Sequence, residues 1–131
     1  MRITLIVAAA VAASIAAVKA HHSISRMYDS SLRVTVAGVV EEFQLVNPHP
    51  LLMMTVESGG QVERWRLEMD NRRELVEIGV TADTFRPGDR LVVSGSRGRT
   101  QPQNLYILRL DRPADGFWYE QVGQTPRIRK E

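Results

Sequence analysis

The fold turns on residues 34–56, VTVAGVVEEFQLV-NPHP-LLMMTV. Two β-rich runs flank a tetrapeptide that belongs to neither. Pro48 and Pro50 lack the backbone N–H that a sheet ladder needs. Each also pushes the residue before it, Asn47 and His49, out of the helical region. Strand, stiff turn, strand is the resulting prediction. Upstream, Leu32, Val34 and Val36 alternate with Arg33, Thr35 and Ala37, the period of a half-buried strand. Gly38 interrupts the pattern and predicts a bulge or sharp bend. Beyond it Val39, Glu41, Phe43 and Leu45 alternate with Val40, Glu42, Gln44 and Val46, so the first strand is long and bent.

Downstream, Leu51 to Val56 is a second strand, and Ser58-Gly59-Gly60 is a hairpin turn into a third, Gln61–Met69. Val62, Trp65, Leu67 and Met69 are its apolar positions. Asn71 with Glu74 three residues on has the form of a helix capping box. Leu75, Val76 and Ile78 give the short helix an apolar face, and Gly79 is a stop signal. Phe85-Arg86-Pro87-Gly88-Asp89 is a turn. Arg90 to Gly95 and Leu105 to Leu110 are strands four and five, joined by a polar loop. Residues 21–31 read as polar, with a turn at Asp29-Ser30-Ser31, and the chain from Pro113 onward shows no period. This order predicts an all-β domain over residues 21–112, a small five-stranded OB-like barrel with one short helix between strands three and four. An open five-stranded antiparallel sheet or roll is the alternative. Residues 113–131 are expected to form a C-terminal tail.

Residues 1–20 read as a signal peptide. Arg2 is followed by the apolar run Ile3 to Val18, and Val18-Lys19-Ala20 places small residues at the −3 and −1 positions of a cleavage site. The run is short for a transmembrane helix, which needs about 20 apolar residues. A periplasmic or secreted location follows, with no membrane span after cleavage. The 17 basic residues include Arg2 and Lys19, whereas none of the 15 acidic residues lies in this segment. The mature chain is therefore balanced in charge, which argues against nucleic acid as a partner. An exported chain with no cysteine has no disulfides to hold it and relies on packing, or on packing and a metal.

Several motifs together resemble a bacterial family of exported proteins, the domain of unknown function 6152. They are Ala20-His21-His22-Ser23, Val39 with Phe43, Asn47-Pro48-His49, Trp65, and Phe85-x-Pro-Gly-Asp89-x-Leu91. The resemblance spans nearly all of the mature chain and implies export and a small domain, with no activity attached. Where members often carry an aromatic shortly after the Asn-Pro-His, this chain has Pro50-Leu51.

The three histidines fall in two places, His21-His22 at the expected cleavage site and His49 in the turn. Cleavage after Ala20 would give His21 a free α-amine that chelates one metal together with its own Nδ1. A third nitrogen from His49 or His22 completes a T-shaped set, and nitrogen-rich tetragonal sites favour Cu(II). By site logic alone this resembles the histidine brace of some periplasmic copper carriers and copper oxidases. Because neutral imidazole is the ligand form, affinity should fall as pH drops through about 6.5. The plainer alternative is that His21 and His22 are solvated and His49 only braces a turn. Met27, Met53 and Met54 are thioether candidates for Cu(I), but Met53 and Met54 point to opposite strand faces and suit core filling.

The second functional class is a metal-free OB-like module binding a protein or cell-envelope polymer. Phe117-Trp118-Tyr119 near Arg127-Ile128-Arg129-Lys130 would mark a docking tail, or the aromatics would close one end of the barrel. The third is an enzyme. No catalytic residues are assigned, since the chain has no cysteine nucleophile, no Gly-x-Ser-x-Gly elbow and no phosphate-cradling loop. Glu68 and Asp70 share a strand face beside Arg66 and Arg72, where ion pairing is the expected explanation. Only copper–oxygen chemistry at His21 would make this an oxidase.

Overall fold

The structure is a computed structural model, and it describes residues 24–123 and 125–129. The signal peptide, His21 and His22 lie outside the described residues. The domain is all-β. After helical residues 24–27 (α1) come strands β1 (Tyr28–Gln44), β2 (Leu51–Ser58) and β3 (Gln61–Glu68). A short helix, α2 (Arg72–Glu77), precedes β4 (Arg90–Gly98), β5 (Asn104–Arg112), β6 (Phe117–Val122) and β7 (Thr125–Arg129). The sheet order is β3-β2-β1-β4-β5-β6-β7. Neighbours in that order are antiparallel, and β3 also pairs with β5 in parallel through Leu67 and Leu105.

Seven strands replace the expected five, and two short helical segments replace one. The additional strands come from residues 113–131, expected to be a tail. Phe117, Tyr119 and Gln121 are buried, whereas Trp118 and Glu120 between them are half-buried. That is strand periodicity, and Asp115-Gly116 ahead of it is a turn signal, with Gly116 at φ 71°. The run is short, which hides its period. The Phe117 ring meets Phe85 edge-on at 5.5 Å, and Phe85 meets Phe43 in the same way at 5.0 Å. The aromatics therefore close the core, as one of the two readings had it.

β1 is 17 residues long and serves two partners. Residues from Tyr28 to Val39 pair with β4, and residues from Val39 to Gln44 pair with β2. It starts at Tyr28, not Leu32, so the expected turn at residues 29–31 is instead an irregularity in the β1–β4 register between Asp29 and Arg33. The second irregularity falls between Val40 and Glu42, three residues past Gly38. It explains why Val40 is buried and Phe43 also packs on the core, although residues three apart on a regular strand face opposite sides. Gly38 has another role: a Cβ there would collide with the Thr55 carbonyl.

The Pro87-Gly88-Asp89 turn closes with Asp89 N–H donating to Arg86 O at 3.0 Å, and Gly88 has φ 93°. The same turn docks on β1 at its bulge. Val40 N–H donates to Asp89 O and Gly88 N–H donates to Val40 O, each at 2.9 Å. Arg112 secures the turn from β5, bonding Asp89 at 2.9 Å and the Thr84 carbonyl at 2.6 Å.

Helix α2 forms as read. Asn71 accepts the Arg73 N–H at 2.8 Å. At the other end Val80 N–H reaches Leu75 O and Gly79 N–H reaches Val76 O, with Gly79 at φ 101°. This is a Schellman stop, and its two apolar ends, Leu75 and Val80, are both buried. Trp65, Leu67 and Met69 of the third strand region face the core as expected, whereas Val62 is 68% exposed. Val62 is off the parity of the other three, so the pleat turns it outward.

Because Phe117 is 3% exposed and packed edge-on against Phe85, Phe117→Ala should lower unfolding free energy by about 3–5 kcal/mol. Denaturant unfolding measures this. A change below 1 kcal/mol would mean the C-terminal strands are dispensable, as a tail would be.

Candidate functional site

The Asn-Pro-His turn is held against the start of α2 by three hydrogen bonds. Arg72 N–H donates to Pro48 O at 2.9 Å, and Met69 N–H donates to Pro50 O at 3.0 Å. The His49 ring bonds the Met69 carbonyl through Nδ1 at 3.1 Å. The Arg72 guanidinium adds a bond to Leu45 O at 2.9 Å. The Asn47–Pro48 peptide is cis. A carbonyl can only accept, so Nδ1 carries the proton and Nε2 the lone pair.

His49 lines a cavity of about 500 Å³ together with Pro48, Asn71 and Glu74 of the α2 end. Ile24 and Ser25 of α1 also line it, and its floor on the sheet includes Tyr28, Arg33, Ser96, Tyr106 and Gln121. The floor is ordered by the sheet register. Arg33 pairs with Ser96, Ser96 with Tyr106, and Tyr106 with Glu68, one row across β1, β4, β5 and β3.

Behind the floor sits a buried carboxylate. Glu68 is 7% exposed, accepts the Tyr28 hydroxyl at 2.6 Å and has Arg66 at 3.6 Å. Arg66 thus accounts for Glu68, as the sequence suggested. Asp70 differs: it accepts the Tyr106 hydroxyl at 3.4 Å and forms no ion pair among the described residues. The cavity was not legible in sequence, although Tyr106 falls in the expected strand five. Tyr28 fell in a segment read as polar, and Gln121 in one read as tail.

Of the expected metal ligands, His49 is at the cavity and His21 and His22 lie outside the described residues. Among the described residues no group of three or more His, Cys, Asp or Glu side chains is placed to hold a metal. The three thioether candidates, Met27, Met53 and Met54, do not line the His49 cavity. Met54 is sealed in the core and Met27 is exposed. No helix among the described residues is long and apolar enough to cross a membrane.

All three tyrosines of the chain have hydroxyls pushed well above their ordinary range. Burial is the main cause in each. The Glu68 hydrogen bond and charge add to it at Tyr28, the Asp70 charge at Tyr106, and the neighbouring Tyr106 at Tyr119. A phenol raised on folding contributes stability that is complete below its unfolded value of about 10 and is lost as pH climbs above it. The folded protein should therefore show almost no phenolate absorbance at about pH 11, where the denatured chain is largely ionised. Stability to denaturant should fall between those conditions and neutrality. Reversible ionisation of all three near pH 10, with the fold intact, would contradict these environments.

Comparison with known proteins adds three findings. No curated protein sequence matches this chain. Among solved structures, the chain is similar to the one titled "Crystal structure of the ZRD-deleted mutant of TiaS in complex with agmatine", with a TM-score of 0.50 and 12% identity. The match covers 74% of this chain and 29% of that one, so this chain spans under a third of its length, and the likeness is one of fold alone. At the level of sequence a family model matches residues 7–104, taking in both the Asn-Pro-His turn and the Pro-Gly-Asp turn: the chain belongs to the family described as Family of unknown function (DUF6152).

Proposed function

We propose that this is an exported binding protein, periplasmic or secreted, built as an OB-like barrel and holding a copper ion at the His49 cavity. The parallel β3–β5 pairing supports the barrel, because it joins the two ends of the run β3-β2-β1-β4-β5. The helix between β3 and β4 and the long bent β1 belong to the same layout. In this reading β6 and β7 extend one edge of the barrel.

One observation carries the copper: the Met69 carbonyl holds Nδ1–H of His49 and leaves the Nε2 lone pair on a half-buried ring at a cavity wall. A carbonyl on the second ring nitrogen is the usual support of a metal-binding imidazole, fixing its tautomer and orientation. The other nitrogens in this proposal come from His21 and His22. Ile24 lines the same cavity, and His21 is joined to it by three peptide units, at most about 11 Å of extended chain. Cleavage after Ala20 adds the α-amine of His21. Such a nitrogen-rich set suits Cu(II).

Intact mass and Cu(II) titration of the exported protein test the proposal. The mass should begin at His21 and one equivalent of copper should bind. His49→Ala should weaken binding by more than about tenfold, since even a lost outer-shell partner costs 10–100-fold. Affinity unchanged in His49→Ala would end the metal reading. The metal-free module, binding a protein or envelope polymer, would then take its place.

A further inference from the structure

Two opposite charges line the one cavity without meeting. Arg33 stands on β1, and Asp70 stands at the end of β3 just before α2. Among the described residues neither forms an ion pair. The register explains why they do not pair with each other. Arg33, Ser96 and Tyr106 occupy three adjacent strands, so about 10 Å separates the backbones of the first and last at the usual strand spacing. Asp70 lies at the Tyr106 end, on the hydroxyl of that ring.

We infer that this cavity binds a small zwitterion, a molecule with an ammonium group and a carboxylate separated by a few methylenes. Its volume of about 500 Å³ is within the range of small-molecule sites. The carboxylate pairs with the Arg33 guanidinium, whose planar fork suits it. The ammonium sits at Asp70, beside the ring of Tyr106, which is packed on the buried Tyr28 with centroids 5.8 Å apart. Tyr106 donates its hydroxyl to the Asp70 carboxylate, which enriches its π face for a cation. Ser96, between Arg33 and Tyr106 in the sheet register, is a neutral polar group between the two ends. A purely anionic ligand would meet Asp70, and a purely cationic one would leave Arg33 uncompensated. This inference does not rest on the copper reading, and the two fail separately.

Calorimetric titration of chelator-treated full-length protein, with ω-amino acids from glycine to 6-aminohexanoate, tests it. Each is compared with the alkylamine and the alkanoate of matching length. At least one amino acid of the series should bind ten-fold or more tightly than both of its half-ligands. Arg33→Ala should remove the advantage over the amine, and Asp70→Asn the advantage over the alkanoate. Arg33 is exposed and Asp70→Asn is isosteric, so both variants should fold, which their unfolding curves will show. The inference is overturned if no amino acid exceeds its better half-ligand, or if neither variant changes the preference. Zwitterion binding in metal-free protein that takes up no copper would sustain this inference while removing the copper one.

Discussion

Everything else in the molecule depends on how the backbone of β1 divides its hydrogen bonds. A single strand that leaves β4 for β2 has a point, Val40, that is in register with Met54 of β2 but lies past the last pair with β4. At that point Val40 turns its side chain into the core and its N–H and C=O toward the Gly88-Asp89 backbone. Unpaired, those groups would each cost about 1–3 kcal/mol at a buried position. The Pro-Gly-Asp turn is therefore the third partner of β1. Arg112 anchors it from the far side through Asp89 and Thr84. The bulge after Val40 then lets Phe43 reach Phe85, and Phe85 reach Phe117, in one edge-to-face row.

The same logic of satisfied backbone groups shapes the Asn-Pro-His turn. Its prolines remove donors, and two of its acceptors are filled by the chain leading into α2: Pro50 O by Met69 and Pro48 O by Arg72. His49 is drawn into this arrangement through the carbonyl of Met69. A residue that braces a turn by one ring nitrogen retains the other for a ligand, so the structural role and the proposed metal role of His49 do not compete. The capped start of α2 and the turn thereby form a single rigid wall of the cavity.

The cavity itself joins parts of the chain that are far apart in sequence. Tyr28 bonds Glu68 across 40 positions, and Tyr106 bonds Asp70 across 36. Both phenols are buried beside carboxylates, and this keeps them neutral far above the pH at which a free phenol ionises. The protein thus holds a polar floor in a cavity that Arg33, Asp70 and Glu74 also line.

Local signals in the sequence determined the all-β class, the strand–turn–strand around residues 47–50, the capped helix and the glycine turns. Each of these depends on neighbours within a few residues: a missing proline N–H, an Asn that reaches the Arg73 amide, glycines that accept positive φ. Family membership was legible in the same motifs, because their order is itself sequence information. Tertiary structure alone decided the rest. The bulge fell after Val40 because the core and the Pro-Gly-Asp turn compete for β1 there, not where the glycine stands. Phe117 and Tyr119 became strand residues because a core three strands away needed covering, which a six-residue run cannot announce. Asp70 stayed without an ion pair while Glu68, two residues before it, gained Arg66 and Tyr28, since pairing depends on which side chains the sheet register carries into reach.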